Sequence, residues 1–273
     1  MKKTLTILAT LFSIAFLTAC GEDEVNRVVI GATSVSADVL RQTIPLMAER
    51  GFELVVEEFE DFILPNIALQ DGDLDMNLFQ HRPFLNNWNY NNNGNLVPSF
   101  GVFFFPLRVF AGRYDNLNDL REGSVIAIPD DLVNEARALL VLQDLGIITL
   151  ETGYSLSTTT ANILDNPLGV VIQPMAAEIL ANVLPDVDFA VINGNFANNA
   201  GVIHRVIILE NGEKAGENPN SIAAVEFTNY VVVRSGDENK PSLLALIESL
   251  RHPDIVNFIE TEHGDTVEIT FMR

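Results

Sequence analysis

The chain is 273 residues long, 48% hydrophobic, 8% aromatic and 19% charged, the composition of a folded chain with room for one large core or two smaller ones. Its 37 acidic residues outnumber 16 basic ones for a formal net charge of −21, and so acidic a surface repels phosphate backbones and excludes nucleic acid as a partner. Cys20 is the only cysteine, so an internal disulfide and a cysteine-built metal site are both excluded.

The N-terminus reads as a targeting segment. Lys2 and Lys3 precede an uncharged apolar run from Thr4 to Leu17, which is short for a bilayer span. Residues 1–19 therefore read as a signal peptide. The run ends in Leu17-Thr18-Ala19-Cys20, which resembles a lipobox. Cys20 is expected to carry lipid and become the mature N-terminus, with residues 20–27 as a polar tether. Acyl chains there would hold the protein at a membrane surface without a transmembrane helix. A plain signal peptide followed by a buried free thiol is the alternative. Without Lys2 and Lys3, 14 basic residues face 37 acidic ones, a net charge of −23.

Val28-Val29-Ile30 is a β-branched run that predicts a buried strand ending at Gly31-Ala32-Thr33. Ser36 and Asp38 can start a helix with Val39, Leu40, Ile44, Leu46 and Met47 on its apolar side. Glu53 to Phe59 is a second strand. Phe62 to Leu69 is a short helix with Asp61 as its N-cap and Asp71-Gly72 as its stop. Leu74 to Phe79 is a third strand, His81 to Asn89 is helical, and the Asn-rich stretch Asn89 to Asn95 is a loop. Strand alternating with helix marks a mostly parallel sheet.

Val102 to Phe105 and Leu107 to Gly112 are extended segments on either side of Pro106, and predict a first crossover between two lobes. A second α/β series follows, with a strand at Val125 to Pro129 and a helix at Asn134 to Leu145 stopped by Gly146. Further strands are expected at Val170 to Ile172, Phe189 to Asn193 and Val206 to Glu210, with a helix from Met175 to Leu184. Tyr230 to Arg234 reads as a strand returning to the first lobe, followed by helices near Ser242–Arg251 and Ile255–Glu262. The expected division is residues 28–106 plus 230–273 for the first lobe and 107–229 for the second, with hinges near Pro106 and Asn229.

Four segments carry a resemblance: Leu64-Pro65-Asn66-Ile67-Ala68-Leu69-Gln70-Asp71-Gly72, Phe79-Gln80-His81-Arg82-Pro83-Phe84-Leu85, Ile128-Pro129-Asp130 with Asn134-Glu135-Ala136-Arg137-Ala138-Leu139, and Ala190-Val191-Ile192-Asn193-Gly194-Asn195. In this order, behind a lipobox, the chain resembles the methionine-binding lipoproteins that feed ABC importers. The resemblance implies an α/β fold of the two-lobed periplasmic-binding type (type II), with a ligand closed between lobes joined by two crossover strands. It implies no catalysis, no cofactor and no metal. The implied partners are methionine or a similar small amino acid, the permease and ATPase of an ABC importer, and a membrane reached through the lipid anchor. The chain is expected to be a monomer facing the periplasm or cell exterior.

An amino-acid ligand needs a planar cation for its carboxylate, and Arg137 is the candidate, with Asn134 at i−3 on the same helix face. A helix N-terminus nearby would also favour an anion. Taken alone, Arg137 reads sooner as a surface side chain paired with Glu135 or solvent than as a ligand contact. Neutral amides that both donate and accept suit the ammonium and the second carboxylate oxygen. Asn193, just past a strand's carboxyl end, and Asn229, before the return strand, are the candidates, although both also suit turns. A thioether favours aromatic walls, and Phe62, Phe79 and Phe84 match aromatic positions of the family, with His81 at a matching histidine. Positions 62 and 84 are commonly tyrosine in that family, so two hydroxyls are missing here. The family's Ser-Pro-Tyr-like segment is also replaced, by a stretch ending Glu226-Phe227-Thr228.

The chain lacks Gly-x-Ser-x-Gly, a phosphate loop and His-Glu-x-x-His. Asp71-Gly72-Asp73-Leu74-Asp75 has no glutamate at the spacing a calcium loop needs and reads as a turn entering a strand. A binding protein for another apolar amino acid or a Met-containing dipeptide, and a structural lipoprotein without transport, are the competing readings.

Overall fold

A computed structural model describes residues 26–151, 156–209 and 226–271. The signal peptide, Cys20 and the first part of the tether lie outside them. The elements in chain order are β1 (Asn26–Thr33), α1 (Ser34–Glu49), β2 (Phe52–Phe59), α2 (Leu64–Asp71), β3 (Met76–His81), α3 (Arg82–Asn92) and β4 (Leu96–Phe104). There follow β5 (Leu107–Ala111), β6 (Val125–Pro129), α4 (Leu132–Asp144), β7 (Thr149–Leu150), β8 (Ile163–Asp165), β9 (Val171–Met175), β10 (Phe189–Asn193), α5 (Gly194–Asn199) and β11 (Val206–Leu209). The chain ends with β12 (Thr228–Arg234), α6 (Pro241–Leu250), α7 (Pro253–His263) and β13 (Glu268–Ile269).

Two sheets result. The first has the order β13-β4-β12-β3-β1-β2. β1 pairs parallel with β2 and β3, while β12 lies antiparallel between β3 and β4. The second has the order β11-β5-β10-β6-β9, with β6 parallel to both β9 and β10. β4 ends one sheet and β5 opens the other across Phe105-Pro106, and β12 brings the chain back. Each sheet is covered on both faces, the arrangement that parallel strands require. Ile30, Leu78, Phe103 and Val231 pack with Leu40 and Leu246 on one face of the first sheet, and Leu69, Leu85 and Trp88 cover the other. Val109, Ile126 and Phe189 pack under Leu139 and Leu142 of α4, and Phe110, Ile192 and Phe196 fill the opposite face of the second sheet.

Local chemistry sets several boundaries. Gly72, at φ 91, is the left-handed C-cap of α2, and Asp61 accepts from the backbone N–H of Ile63 and Leu64, so the helix begins two residues later than its sequence suggests. α3 runs three residues past Asn89 into the stretch expected to be a loop, and ends at Asn93, whose φ of 51 suits asparagine. The helix expected over Met175 to Leu184 does not form. β9 extends to Met175, and the chain then makes 3-10 turns at Ala177–Ile179 and Leu184–Asp186. Pro185 cannot extend a regular helix, and tight turns suffice to bury Ala177, Leu180 and Leu184.

The first lobe contains a polar knot between α2 and β3. Asn66, Asn77 and Gln80 are all buried. Asn66 Nδ2 donates to Gln80 Oε1, while Asn77 Nδ2 donates to Asn66 Oδ1 and the Pro65 carbonyl. Gln80 Nε2 donates to Asn77 Oδ1. Amides that satisfy one another this way fix α2 against β3 in one register. Replacing Asn77 with the similarly sized Leu would remove its bonds to Asn66, Gln80 and the Pro65 carbonyl and weaken the knot. We expect Asn77→Leu to reduce stability by about 2 kcal/mol, read as a lower urea midpoint at unchanged slope.

Candidate functional site

Carboxyl ends of parallel strands from both sheets face one gap, where α/β sheets place ligands. His81 ends β3, Asn193 ends β10, and β6 leads through Asp131 into α4. The gap leaves about 330 Å³ free of protein atoms, part of it open to solvent, lined by Phe62, Phe79, His81, Phe84, Asn134, Arg137, Asn193 and Asn229. Every side chain singled out in the sequence for ligand contact thus reaches one space.

Three further residues line it. Gln80, Phe105 and Asn195 were not anticipated. Asn195 follows Gly194 at the start of α5, an element too short to leave a periodic signal, and Phe105 is part of the crossover. Gln80 lies between two anticipated residues, but nothing local distinguishes it.

The polar end is built from α4. Asp131 is its N-cap, and its carboxylate accepts from the backbone N–H of Asn134 and from Asn134 Nδ2. The helix N-terminus is thus capped by a carboxyl group of the chain itself. Burial pushes the Asp131 carboxyl up from its usual range, against the opposing effects of its bonds to Asn134 and the charge of Arg137. With its amide nitrogen held, Asn134 turns its carbonyl oxygen inward. That oxygen accepts from Arg137 Nη1 at 3.1 Å and Asn193 Nδ2 at 3.3 Å, and lies 3.4 Å from His81 Nε2.

Arg137 is 2% exposed, so it is no surface side chain. Glu135, its sequence neighbour, instead accepts from the backbone N–H of Thr160. Arg137 Nη2 donates to the Phe105 carbonyl at 3.3 Å. Asn193 Oδ1 and Asn195 Nδ2 are buried without a partner among the described residues, leaving one acceptor and one donor at the hollow. Asn229 donates through Nδ2 to the Phe79 carbonyl and pairs with His81 across the β12–β3 ladder.

The apolar end is aromatic. Phe62 lies 5.8 Å from Phe79, 5.9 Å from Phe84 and 4.7 Å from Phe196, centroid to centroid. Phe62 comes from the first lobe and Phe196 from α5 of the second, so this contact spans the gap. Rings at these separations and tilts sit in the favourable offset and edge-to-face range.

His81 is the N-cap of α3, and its Nδ1 accepts from the backbone N–H of Phe84. The neutral ring therefore carries its proton on Nε2, toward Asn134. Burial, reinforced by the charge of Arg137, holds the imidazole well below the usual histidine range. Among the described residues, no group of three His, Cys, Asp or Glu side chains could hold a metal ion.

Two α/β lobes joined by crossovers around a buried hollow are the architecture of two-lobed substrate-binding proteins. Residues 28–270 match the family described as NlpA lipoprotein, and the chain belongs to that family. It is 31% identical to outer membrane lipoprotein 3 of Mannheimia haemolytica over 253 residues, covering 90% of each chain. It is 32% identical to the D-methionine-binding lipoprotein MetQ of Escherichia coli K12 over 263 residues, covering 93% of this chain and 92% of the other. Its fold matches the solved structure of a nutrient binding protein from Burkholderia cenocepacia bound to methionine with a TM-score of 0.81 at 31% identity, covering 89% of this chain and all of that one.

The depressed histidine has a consequence for stability. Below about pH 6.5 the unfolded chain takes up a proton that folded His81 refuses, so stability falls with pH between 6.5 and the depressed value and is untouched above it. His263, also lowered by burial, acts in the same direction, whereas Asp131 and Glu135, both raised by burial, act oppositely as pH falls through their folded values. Urea melts from pH 7 to 5.5 should show this loss. His81→Asn, which keeps a capping side chain, should flatten the slope by up to about 1.4 kcal/mol per pH unit.

Proposed function

We propose that this chain captures methionine, or a close apolar amino acid, in the hollow between its lobes and delivers it to an ABC importer. The observation that carries this reading is the meeting of a buried guanidinium and neutral amides at one end of the hollow with a ring wall at the other. Arg137 takes the α-carboxylate, drawing on a planar fork that matches it bidentately. Asn134, Asn193 and Asn229 supply acceptors and donors for the ammonium and the remaining oxygen. Phe62, Phe79 and Phe84 enclose the side chain, with His81 at the junction, where a thioether gains roughly 0.3–1.5 kcal/mol per ring contact. The relative from Escherichia coli is named for D-methionine and the Burkholderia structure holds methionine, which supports this ligand over others. The names of these relatives describe binding, which supports capture of a ligand over its turnover.

On this reading the lobes divide as the sequence suggests, at residues 28–106 plus 230–273 and 107–229, and the crossovers near Pro106 and Asn229 are the hinges. The ligand binds the closed form more tightly and so drives closure. Family membership as a lipoprotein supports lipid attachment at Cys20. No described helix is long and apolar enough to cross a membrane. The protein then acts as a monomer anchored to a membrane and facing the periplasm or cell exterior, presenting ligand to a permease with its ATPase.

A second reading rests on the wall itself. Phe62 and Phe84 offer no hydroxyl, so the apolar end selects by size and shape, and a one-methylene change shifts affinity by only about 10–200-fold. Leucine or isoleucine would then compete with methionine.

Calorimetry against L- and D-methionine and the other apolar amino acids, after unfolding and refolding to strip carried ligand, separates these readings. We expect methionine to bind at about micromolar or tighter. Arg137→Ala should weaken binding about 100-fold or more, by removing two charge-assisted bonds. Heat from no amino acid would favour a structural lipoprotein, and turnover of a ligand would favour an enzyme.

A further inference from the structure

Phe227 is 3% exposed and stands just before β12, behind the residues that line the hollow. Its ring centroid lies 3.9 Å from the central guanidinium carbon of Arg137, and 5.1 Å from the His81 ring at 70°. Phe104 and Val133 complete its apolar bed, with Leu156 packed against it. A cation over a ring face is attracted by the ring quadrupole, and more strongly where both are out of water. The edges of the guanidinium are directed by its bonds to Asn134 Oδ1 and the Phe105 carbonyl. Those two bonds aim the fork, and the ring sets its plane.

We propose that Phe227 is a positioning residue for ligand capture: it holds the plane of the Arg137 guanidinium so that the fork meets a carboxylate, without itself touching the ligand. This rests on the reading that Arg137 receives the ligand's carboxylate. A fork that must make two parallel bonds tolerates little rotation, so a small misplacement is felt as lost affinity. The alternative is that Phe227 only fills space between Phe104 and Val133. Sequence reading passed over Phe227 because an isolated phenylalanine before a strand looks like any core residue.

The two roles separate when side-chain volume is kept and the ring face removed. Calorimetry on the mature chain and on Phe227→Leu should use methionine and methioninol, which keeps the thioether and ammonium but replaces the carboxylate by a CH₂OH group. For a positioning role, the dissociation constant for methionine rises about tenfold while that for methioninol changes less than about twofold. Equal weakening of both ligands, or no change in either, overturns the role. Absence of binding by the unmodified chain overturns the ligand reading together with this one, whereas binding with an unchanged ratio overturns this one alone. A second readout needs no ligand. The Arg137 Nε–H resonance of the unmodified protein should be shielded by the ring and slow to exchange with water, and should lose both features in Phe227→Leu. Unchanged shift and exchange would overturn the proposal. Should Phe227→Leu lack a cooperative melt, Phe227→Met provides the same contrast.

Discussion

One amide oxygen gathers polar groups from both lobes at the site. Asn134 Oδ1 faces Arg137, Asn193 and His81 at 3.1 to 3.4 Å, and the last of these comes from the opposite lobe. An amide oxygen has two lone pairs, so three donors at these distances share it and none is bound strongly. Asp131 keeps the arrangement in place by gripping the amide nitrogen, which prevents Asn134 from flipping. Donors held loosely in a dry site are well suited to transfer to a stronger acceptor, and a carboxylate is one. Such a site is assembled in advance but not saturated by its own contacts.

Burial of Arg137 is tolerable only because its surroundings are polarisable and hydrogen-bonding. A backbone carbonyl, an amide oxygen and a ring face surround a group that would otherwise be stranded. The same burial, together with the cation itself, keeps His81 neutral and fixes which of its nitrogens donates. Charge, tautomer and helix cap are thus one linked set of choices.

The apolar end follows a different logic. Phe62 lies outside regular structure and is fixed by rings on three sides, one of them Phe196 from the far lobe. This contact spans the gap, so on the proposed reading the wall would contribute to closure as well as to selectivity. A wall of this kind recognises shape and polarisability and leaves orientation of the ligand to the amides and the guanidinium. Behind it, the amide knot of Asn66, Asn77 and Gln80 holds the strand that carries Phe79 and His81.

Local elements were legible in the sequence where a hydrophobic period met a clear stop. The strands at Val125–Pro129 and Phe189–Asn193 follow from apolar runs bounded by Pro129-Asp130 and Gly194, and α2 stops where Asp71-Gly72 directs. The same signal failed at Met175 to Leu184, where helix-like spacing was satisfied by tight turns beside Pro185. It had nothing to say of α5, too short to show a period, or of β13, which forms only because β4 offers it an edge. By itself the sequence determined the alternation of strand and helix, the chemistry available for an amino acid, and the side chains that could supply it. Only the tertiary structure decided that Arg137 is buried against Phe227 and that Phe196 meets Phe62. These contacts join residues far apart in the chain, and what sets them is the packing of whole sheets against helices, which no local periodicity records.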